Sequence, residues 1–378
     1  MTRSGSVRIV SLLQQDGTLS VFPQEEPIPV PSGDQVLIRV DAAPINPADI
    51  KSLFCSALLD SFHRSSGPEP IAVTGRVPTA QLSAYRNRIG VPLPVGNEGT
   101  GIVISTGGAP AAKSLLGQRV SAAVGGMFSQ YRLAHAHECI VFPPEFSPEQ
   151  TAAAWINPMT ALAMIDTMER EGHSAIVLTA AASSLGQMMN RLCMRAGVPI
   201  VNVVRSDQQV AVLRELGATY VCNSNDPGFE DELAEALRQT KATLAFDATG
   251  GGTLAGKILH AMEQALTHVP QGHTGYGSTT HKQLYFFGGL DPSSVNFTRN
   301  FGMAWGIGGW LLQNALTKAH PDKLQCMKHR IQRDIDSIFF TKFSRKITQD
   351  QITDPALISS YAHLKTGEKV LAIMEHSI

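Results

Sequence analysis

The chain has 378 residues, 43% hydrophobic and 17% charged, with 31 basic against 32 acidic side chains. That length suits two domains better than one core, and balanced charge without a basic run excludes a surface built for nucleic acid. Mean hydropathy is −0.01, no window approaches an uninterrupted membrane span, and the N-terminus lacks a signal-peptide core, so a cytoplasmic protein, or one of an organelle lumen after processing, is expected.

Residues 1 to about 150 are β-rich, with runs such as Val7-Arg-Ile-Val-Ser-Leu, Gln35-Val-Leu-Ile-Arg-Val and Gly101-Ile-Val-Ile-Ser between Gly and Pro turns. They read as a small barrel-like domain. The segment Gln130-Tyr-Arg-Leu-Ala-His135-Ala-His137-Glu-Cys139 alternates like an edge strand and is read as one, with no metal assigned to its histidines. The five cysteines, Cys55, Cys139, Cys193, Cys222 and Cys326, form no C-x-x-C pair. That argues against a disulfide framework and a thiolate zinc knuckle.

At Ser147-Pro-Glu-Gln, a helix start with its cap, the pattern changes to alternating helices and strands. A helix over Thr151–Arg170, strand Ala175–Thr179, helix Leu185–Arg195, strand Ile200–Val204, helix Gln208–Leu216 and strand Tyr220–Cys222 follow. A helix around Asp231–Gln239 and strands at Thr243–Asp247 and Leu284–Phe287 complete an open parallel sheet. The tail from about Pro321 reads as helix, strand (Phe339–Ile347) and a final helix–strand pair returning to the first domain. The expected domains are therefore 1–150 with 321–378, and 151–320. A loop rich in Gly, Thr and Ser over Gln271–Thr280 has no evident physical reason.

Within the parallel sheet, Ile176-Val-Leu-Thr-Ala-Ala-Ala182-Ser183-Ser184-Leu185-Gly186 reads as strand, tight turn and helix start. Such a turn presents free backbone N–H groups and a positive dipole end to a pyrophosphate. Only Gly186 survives of three usual glycines; Ala180 or Ala181 and Ser183 stand for the first two, still small enough for close backbone approach. Arg205 follows Gly186 by nineteen residues, at the end of the second strand. An acidic residue there accepts from a ribose 2′-hydroxyl, whereas Arg pairs a 2′-phosphate, so NADPH is expected over NADH. Asp207, two residues on, reads as a helix-start residue.

The order of β domain, nucleotide-binding domain and return resembles the medium-chain dehydrogenase/reductase superfamily over nearly the whole chain. The resemblance implies an α/β architecture, a GroES-like β-barrel catalytic domain plus a Rossmann doubly wound parallel sheet. Zinc members carry Cys and His in segments that here read Ile45-Asn46-Pro47-Ala48-Asp49 and Gly96-Asn97-Glu98-Gly99. Asn is a poor zinc ligand. With Asn157-Pro-Met-Thr160-Ala161 and Asn202-Val-Val-Arg205, the pattern resembles the zinc-free branch of quinone oxidoreductases and 2-enoyl thioester reductases, the latter more closely. Phe246-Asp247-Ala-Thr-Gly250-Gly251 and Phe287-Gly288-Gly289-Leu290 fall where the superfamily meets its cofactor, so Asp247 and Phe287 to Leu290 join Ala182 to Gly186 and Arg205 as cofactor-binding candidates. Gly308-Gly309-Trp310 resembles a Gly-Phe-Trp motif of the dimer and substrate region, its middle residue departing.

The enoyl thioester reductases use a tyrosine a dozen residues before the Asn of Gly-Asn-Glu-Gly, which here is Tyr85. Tyr85 is the candidate proton donor, in a segment, Thr79 to Arg88, that looks helical and equally allows a packing role. Asn46 and Thr160 are candidate groups near the nicotinamide; Asp49 and Glu98 are read as organising neighbouring backbone. The resemblance implies an NADPH-dependent, zinc-independent reductase of an activated C=C bond, such as an enoyl thioester or α,β-unsaturated carbonyl, acting on a small molecule as a homodimer through the edge strand near Met303–Leu312. A quinone oxidoreductase, and an NADPH-binding sensor or interaction protein without catalysis, are the alternatives. Phe54–Ser83, about thirty residues, is longer than either branch implies and is either a substrate-side wall or a passive surface excursion.

Overall fold

The computed structural model describes residues 5–65, 72–267, 275–363 and 366–376. The chain forms two compact units, Met1–Ile156 with Arg330–Ile378, and Asn157–His329.

The first unit is built on strand Gln35–Pro44, whose Val36, Ile38, Val40, Ala42 and Ala43 are fully buried. One edge carries Gly99–Thr106; the other carries Tyr131–His135 along its first half and Val370–Ile373 along its last residues. Arg119–Ala122 and Ile140–Phe142 extend one side of this seven-stranded sheet, and Arg345–Thr348 extends the other. The C-terminal tail therefore completes the first sheet. A second sheet of five strands runs in the order His63–Arg64, Val73–Arg76, Thr18–Pro27, Gly5–Leu13, Leu93–Pro94. Both sheets run as open orders of strands, and the ladders among the described residues do not close them into a ring.

The long segment after Phe54 belongs to this core. Val73–Arg76 pairs antiparallel with Thr18–Pro27, and Phe62 packs edge-on against Phe54 with ring centroids 5.0 Å apart. A Cβ on Gly75 would lie 2.6 Å from the Phe62 ring, so strand and ring meet only because that residue is glycine. The segment is thus a structural extension of the sheet; its residues 66–71 lie outside the described part.

The second unit holds a six-stranded, all-parallel sheet in the order Tyr220–Asn223, Ile200–Val204, Ile176–Thr179, Leu244–Asp247, Lys282–Phe286, Trp305–Gly309. Its central strands read Ile-Val-Leu-Thr and Ile-Val-Asn-Val-Val and are buried throughout, the pattern of strands covered on both faces. Helix Ser184–Ala196 ends at Gly197, whose φ of 67° is left-handed. The reversal of strand order between Ile176–Thr179 and Leu244–Asp247 makes a topological switch point, where such sheets open a crevice at the strands' carboxyl ends. Among the described residues no helix is long and apolar enough to cross a membrane.

Several local expectations differ from the structure. The helix expected over Thr151–Arg170 is two, Pro148–Thr151 and Ile156–Arg170. The interruption has a cause outside the helix, because the N–H groups of Trp155 and Ile156 bond the Glu98 carboxylate. Thr79–Arg88 is a 3-10 run rather than an α-helix. The strand expected from Phe339 begins only at Arg345, since the Asp334 carbonyl gathers the N–H groups of Ser337, Ile338 and Phe339 into a turn. Helices Pro47–Phe54 and Leu254–Thr267 add elements that the sequence pattern did not suggest. Of the Gly/Thr-rich loop, residues 271–274 lie outside the described part.

Candidate functional site

In the first unit the motifs around Asn46 and Asn97 meet through two carboxylates with no solvent exposure, Asp49 and Glu98. Asn46 caps helix Pro47–Phe54, whose first-position Pro has no N–H to satisfy. Its own N–H donates to Asp49 Oδ2 at 2.8 Å, and the N–H of Asn97 donates to Asp49 Oδ1 at 2.8 Å. Glu98 accepts from the Asn46 amide Nδ2 at 2.9 Å through one oxygen and from the Trp155 and Ile156 N–H groups at 3.0 and 2.8 Å through the other. Lys369, from the C-terminal tail, is 7% exposed and adds a buried cation whose Nζ has no hydrogen-bond partner among the described residues.

Burial pushes the Asp49 carboxyl up to about 7, its two backbone donors opposing the shift and the neighbouring Glu98 reinforcing it. Burial likewise raises Glu98 and lowers Lys369, each partly offset by their mutual attraction. One amide N–H of Asn46 is held by Glu98, and its Oδ1 is a buried acceptor with no partner among the described residues. Tyr85 is half-buried against the core, and its hydroxyl lies 2.7 Å from Ser56 Oγ. Ser56 comes from the same long segment that extends the sheet.

In the second unit the turn after strand Ile176–Thr179 is shaped by small residues for identifiable reasons. Ala180 adopts a left-handed φ of 48°, so it is Ala180 that takes the conformation a glycine would favour. A Cβ on Gly186 would sit 2.1 Å from the Ala181 carbonyl oxygen, so no other residue fits. Ser183 caps helix Ser184–Ala196, its Oγ accepting from the Gly186 N–H at 3.2 Å. The second helix residue, Leu185, and the buried Ala182 complete the turn. Behind it, Asn190 and Asn202 exchange side-chain amide hydrogen bonds of 2.7 and 2.9 Å, fixing this helix to the next strand.

Arg205 is exposed at that strand's end, and its guanidinium has no partner among the described residues. Asp207, by contrast, begins helix Asp207–Glu215 and accepts from Asn223 Nδ2 at 2.9 Å. Across the switch point, buried Asp247 accepts from Thr179 Oγ1 at 2.6 Å and from the Thr249 N–H at 2.8 Å, while its Oδ2 has no partner among the described residues. The stretch Phe287 to Leu290 is hydrogen-bonded along 247–249, with Phe287 N–H to Asp247 O and Leu290 N–H to Ala248 O. There a Cβ on Gly288 would come within 2.7 Å of the Ala248 carbonyl, so this approach too requires glycine, and Gly289 follows it. Thr160 is 7% exposed on helix Ile156–Arg170. The candidate cofactor residues and Thr160 thus belong to the second unit, and Asn46 and Tyr85 to the first.

Residues 184–286 match the family model of zinc-binding dehydrogenases. The chain is 29% identical over 228 residues to a mitochondrial enoyl-[acyl-carrier-protein] reductase of Caenorhabditis elegans, covering 58% of this chain and 56% of that one. It is 23% identical over 225 residues to mouse prostaglandin reductase-3, covering 60% and 52%. The chain therefore spans a little over half the length of these relatives. A Mesorhizobium loti protein provisionally named an NADPH:quinone reductase superposes with a TM-score of 0.72 at 24% identity, covering 99% of each chain. A mycobacterial protein complexed with NADPH gives 0.66 at 15% identity, covering 97% of this chain and 99% of that one. Residues 184–286 thus match the zinc-binding dehydrogenases, and the chain shares the fold of these solved structures over nearly its whole length.

The superfamily's zinc positions, read here as Asn46 and Asn97, do not carry a suitable donor set. Among the described residues, the His, Cys, Asp and Glu side chains that come together closely enough to hold a metal are Asp34, His135 and His137, none of them at those positions. Lys369 is the member of the buried cluster that sequence reading missed. A lysine before a short apolar strand carries no signal of burial, and only the register of the tail against Gln35–Pro44 brings it there.

The Asp49 carboxyl generates a pH test. Folding raises it from 3.8 to about 7, so the native state binds that proton more tightly. The stabilisation is complete below the ordinary carboxylate value and is lost as pH climbs through about 7. Asp49→Asn keeps one backbone acceptor and loses the other, so it is expected to lower stability by about 1–3 kcal/mol while flattening its decline toward neutral pH. Urea melts of both proteins across that range check this; equal slopes would assign the titration elsewhere.

Proposed function

We propose that this protein is an NADPH-dependent, zinc-independent reductase of an activated C=C bond, with an enoyl thioester or α,β-unsaturated carbonyl as substrate. The observation that carries the reading is the turn from Ala180 to Gly186, where the backbone approaches too closely for any side chain at Gly186 and a 13-residue helix begins. Such a turn fits a dinucleotide, whose pyrophosphate lies on the helix N-terminus. The enoyl reductase relatives support the reaction class, and the asparagines at both superfamily zinc positions support the absence of zinc.

In this reading Ala182 to Gly186 hold the pyrophosphate, Arg205 pairs the 2′-phosphate, and Asp247 with Phe287 to Leu290 line the crevice at the switch point. When bound, NADPH supplies the hydride. Tyr85 donates the proton that balances it, and the exposed Ser56 relays a solvent proton back to the phenol through their hydrogen bond. Asn46 offers an acceptor oxygen for an N–H group such as a carboxamide, and a second amide N–H for a substrate carbonyl. Thr160 is a further candidate polar group for the nicotinamide.

The quinone oxidoreductase alternative has its own support in the solved structures named for that activity. The two differ in what they require of Tyr85. NADPH oxidation against crotonyl thioester, enal, enone and quinone is expected to show turnover of an enoyl or enal substrate, and Tyr85→Phe is expected to lose roughly 10²-fold or more of that rate. Turnover of quinones alone, unaffected in Tyr85→Phe, would replace the C=C reductase by a quinone reductase; tight NADPH binding without any turnover would point to a sensor.

Arg205→Gln is expected to weaken NADPH binding roughly ten- to hundredfold, the worth of charge-assisted hydrogen bonds, while leaving NADH unchanged. A parallel loss for both dinucleotides, measured by fluorescence titration, would remove Arg205 from the specificity role. Strand Trp305–Gly309 is the edge of the parallel sheet, flanked by exposed Met303 and Leu311. Pairing of this edge with a second copy gives the homodimer we propose; a monomeric mass by light scattering would refute it.

A further inference from the structure

Outside these sites, three side chains of the first unit converge at its surface. Asp34, His135 and His137 each offer one ligand atom, all within 4.8 Å of one another. His135 Nδ1 lies 2.7 Å from Asp34 Oδ1, and His137 Nδ1 lies 3.6 Å from Asp34 Oδ2. Their backbone is fixed from both sides. Gln35 pairs with His135 across the ladder, and the Ala136 N–H donates to the Asp34 carbonyl at 3.0 Å. The strand then ends in a 3-10 turn, Ala136–Glu138, whose Glu138 carboxylate accepts the His135 N–H at 2.8 Å. This turn brings both imidazoles to one carboxylate, their ring centroids 5.5 Å apart. Cys139 is excluded from the group: it is buried, and its Sγ lies 3.6 Å from the His135 carbonyl.

We propose that Asp34, His135 and His137 form a binding site for a divalent zinc ion, distinct from the superfamily's zinc positions. A single Asp–His pair at a surface would need no more explanation than a weak ion pair. A second imidazole on the same carboxylate is what a metal uses. Donors in a tetrahedral zinc site with bonds near 2.0–2.1 Å stand roughly 3.3 Å apart. The two imidazoles approach different oxygens of Asp34, at 2.7 and 3.6 Å, so coordination through one oxygen is reached by side-chain rotation over a fixed backbone. The side chains are 45%, 45% and 71% exposed, which leaves water free to fill the remaining position. Two imidazoles and a carboxylate suit zinc among the first-row ions.

The test is calorimetric titration of the full chain, without an affinity tag, with Zn²⁺, and parallel visible spectroscopy with Co²⁺. The wild type is expected to bind one ion per chain at this site. His137→Ala is expected to weaken binding at least about tenfold, consistent with the sensitivity of metal sites to lost partners, and Asp34→Ala with His137→Ala to abolish it together with the visible Co²⁺ bands. His137→Gln, which keeps the side chain's bulk, guards against a folding artefact, and urea melts of all variants should match the wild type. Equal affinity and stoichiometry in wild type and the double variant would overturn the proposal, as would no binding by the wild type. Neither outcome depends on NADPH or on reductase turnover.

Discussion

Two carboxylates without solvent exposure, Asp49 and Glu98, organise the first unit, because a buried charge must be surrounded by donors. Four backbone N–H groups answer that demand, from Asn46, Asn97, Trp155 and Ile156. The requirement reaches well beyond the carboxylates themselves. It breaks what would have been one helix after Thr151, sets the start of Ile156–Arg170, and draws Lys369 inward from the far end of the chain. It also orients Asn46, one of whose amide N–H groups is held by Glu98 while its oxygen has no partner among the described residues. Asn46 is thereby an oriented neutral side chain beside the two buried carboxylates.

The parts of this design that were legible in sequence are those whose cause is local. Apolar runs of four or five residues bounded by turns gave the parallel strands within a residue or two, and Ser147 marked a helix start as its cap. What sequence could not supply are causes at long range. Glu98 interrupts a helix from 57 and 58 positions away, and no helical periodicity registers such a partner. Val73–Arg76 joins the long segment to the sheet by pairing with Thr18–Pro27, and Phe62 packs over Gly75, where sequence suggested a substrate-side wall or a surface excursion. The same holds for the metal site: alternation described His135 and His137 as an exposed edge, but Asp34 is brought to them by the ladder.

The eroded glycine pattern of the turn from Ala180 to Gly186 is open to a finer physical reading. In a dinucleotide turn the first glycine serves the tight turn, the second the close approach of the pyrophosphate, and the third the packing of helix on strand. Gly186 is kept where the contact is internal to the protein, an added Cβ falling 2.1 Å from the Ala181 carbonyl oxygen. Ala180 holds the left-handed conformation at a cost of about 1 kcal/mol, tolerable in a turn whose neighbours are fixed by strand and helix. Ser183 adds a cap that glycine would lack, its Oγ accepting from the Gly186 N–H.

Loss of two glycines thus trades conformational ease for a capped helix start without blocking the turn with bulk. The missing pattern weighs less against a cofactor than it does in sequence alone, because the one position where glycine is sterically required has retained it. What the substitutions change is the chemistry offered: a serine hydroxyl, whose lone pair is held by the Gly186 N–H and whose proton remains available as a donor, stands at the helix N-terminus. A pyrophosphate bound there would meet backbone N–H groups and one hydroxyl donor, so part of the affinity carried by bare backbone in a glycine-rich turn would pass to Ser183.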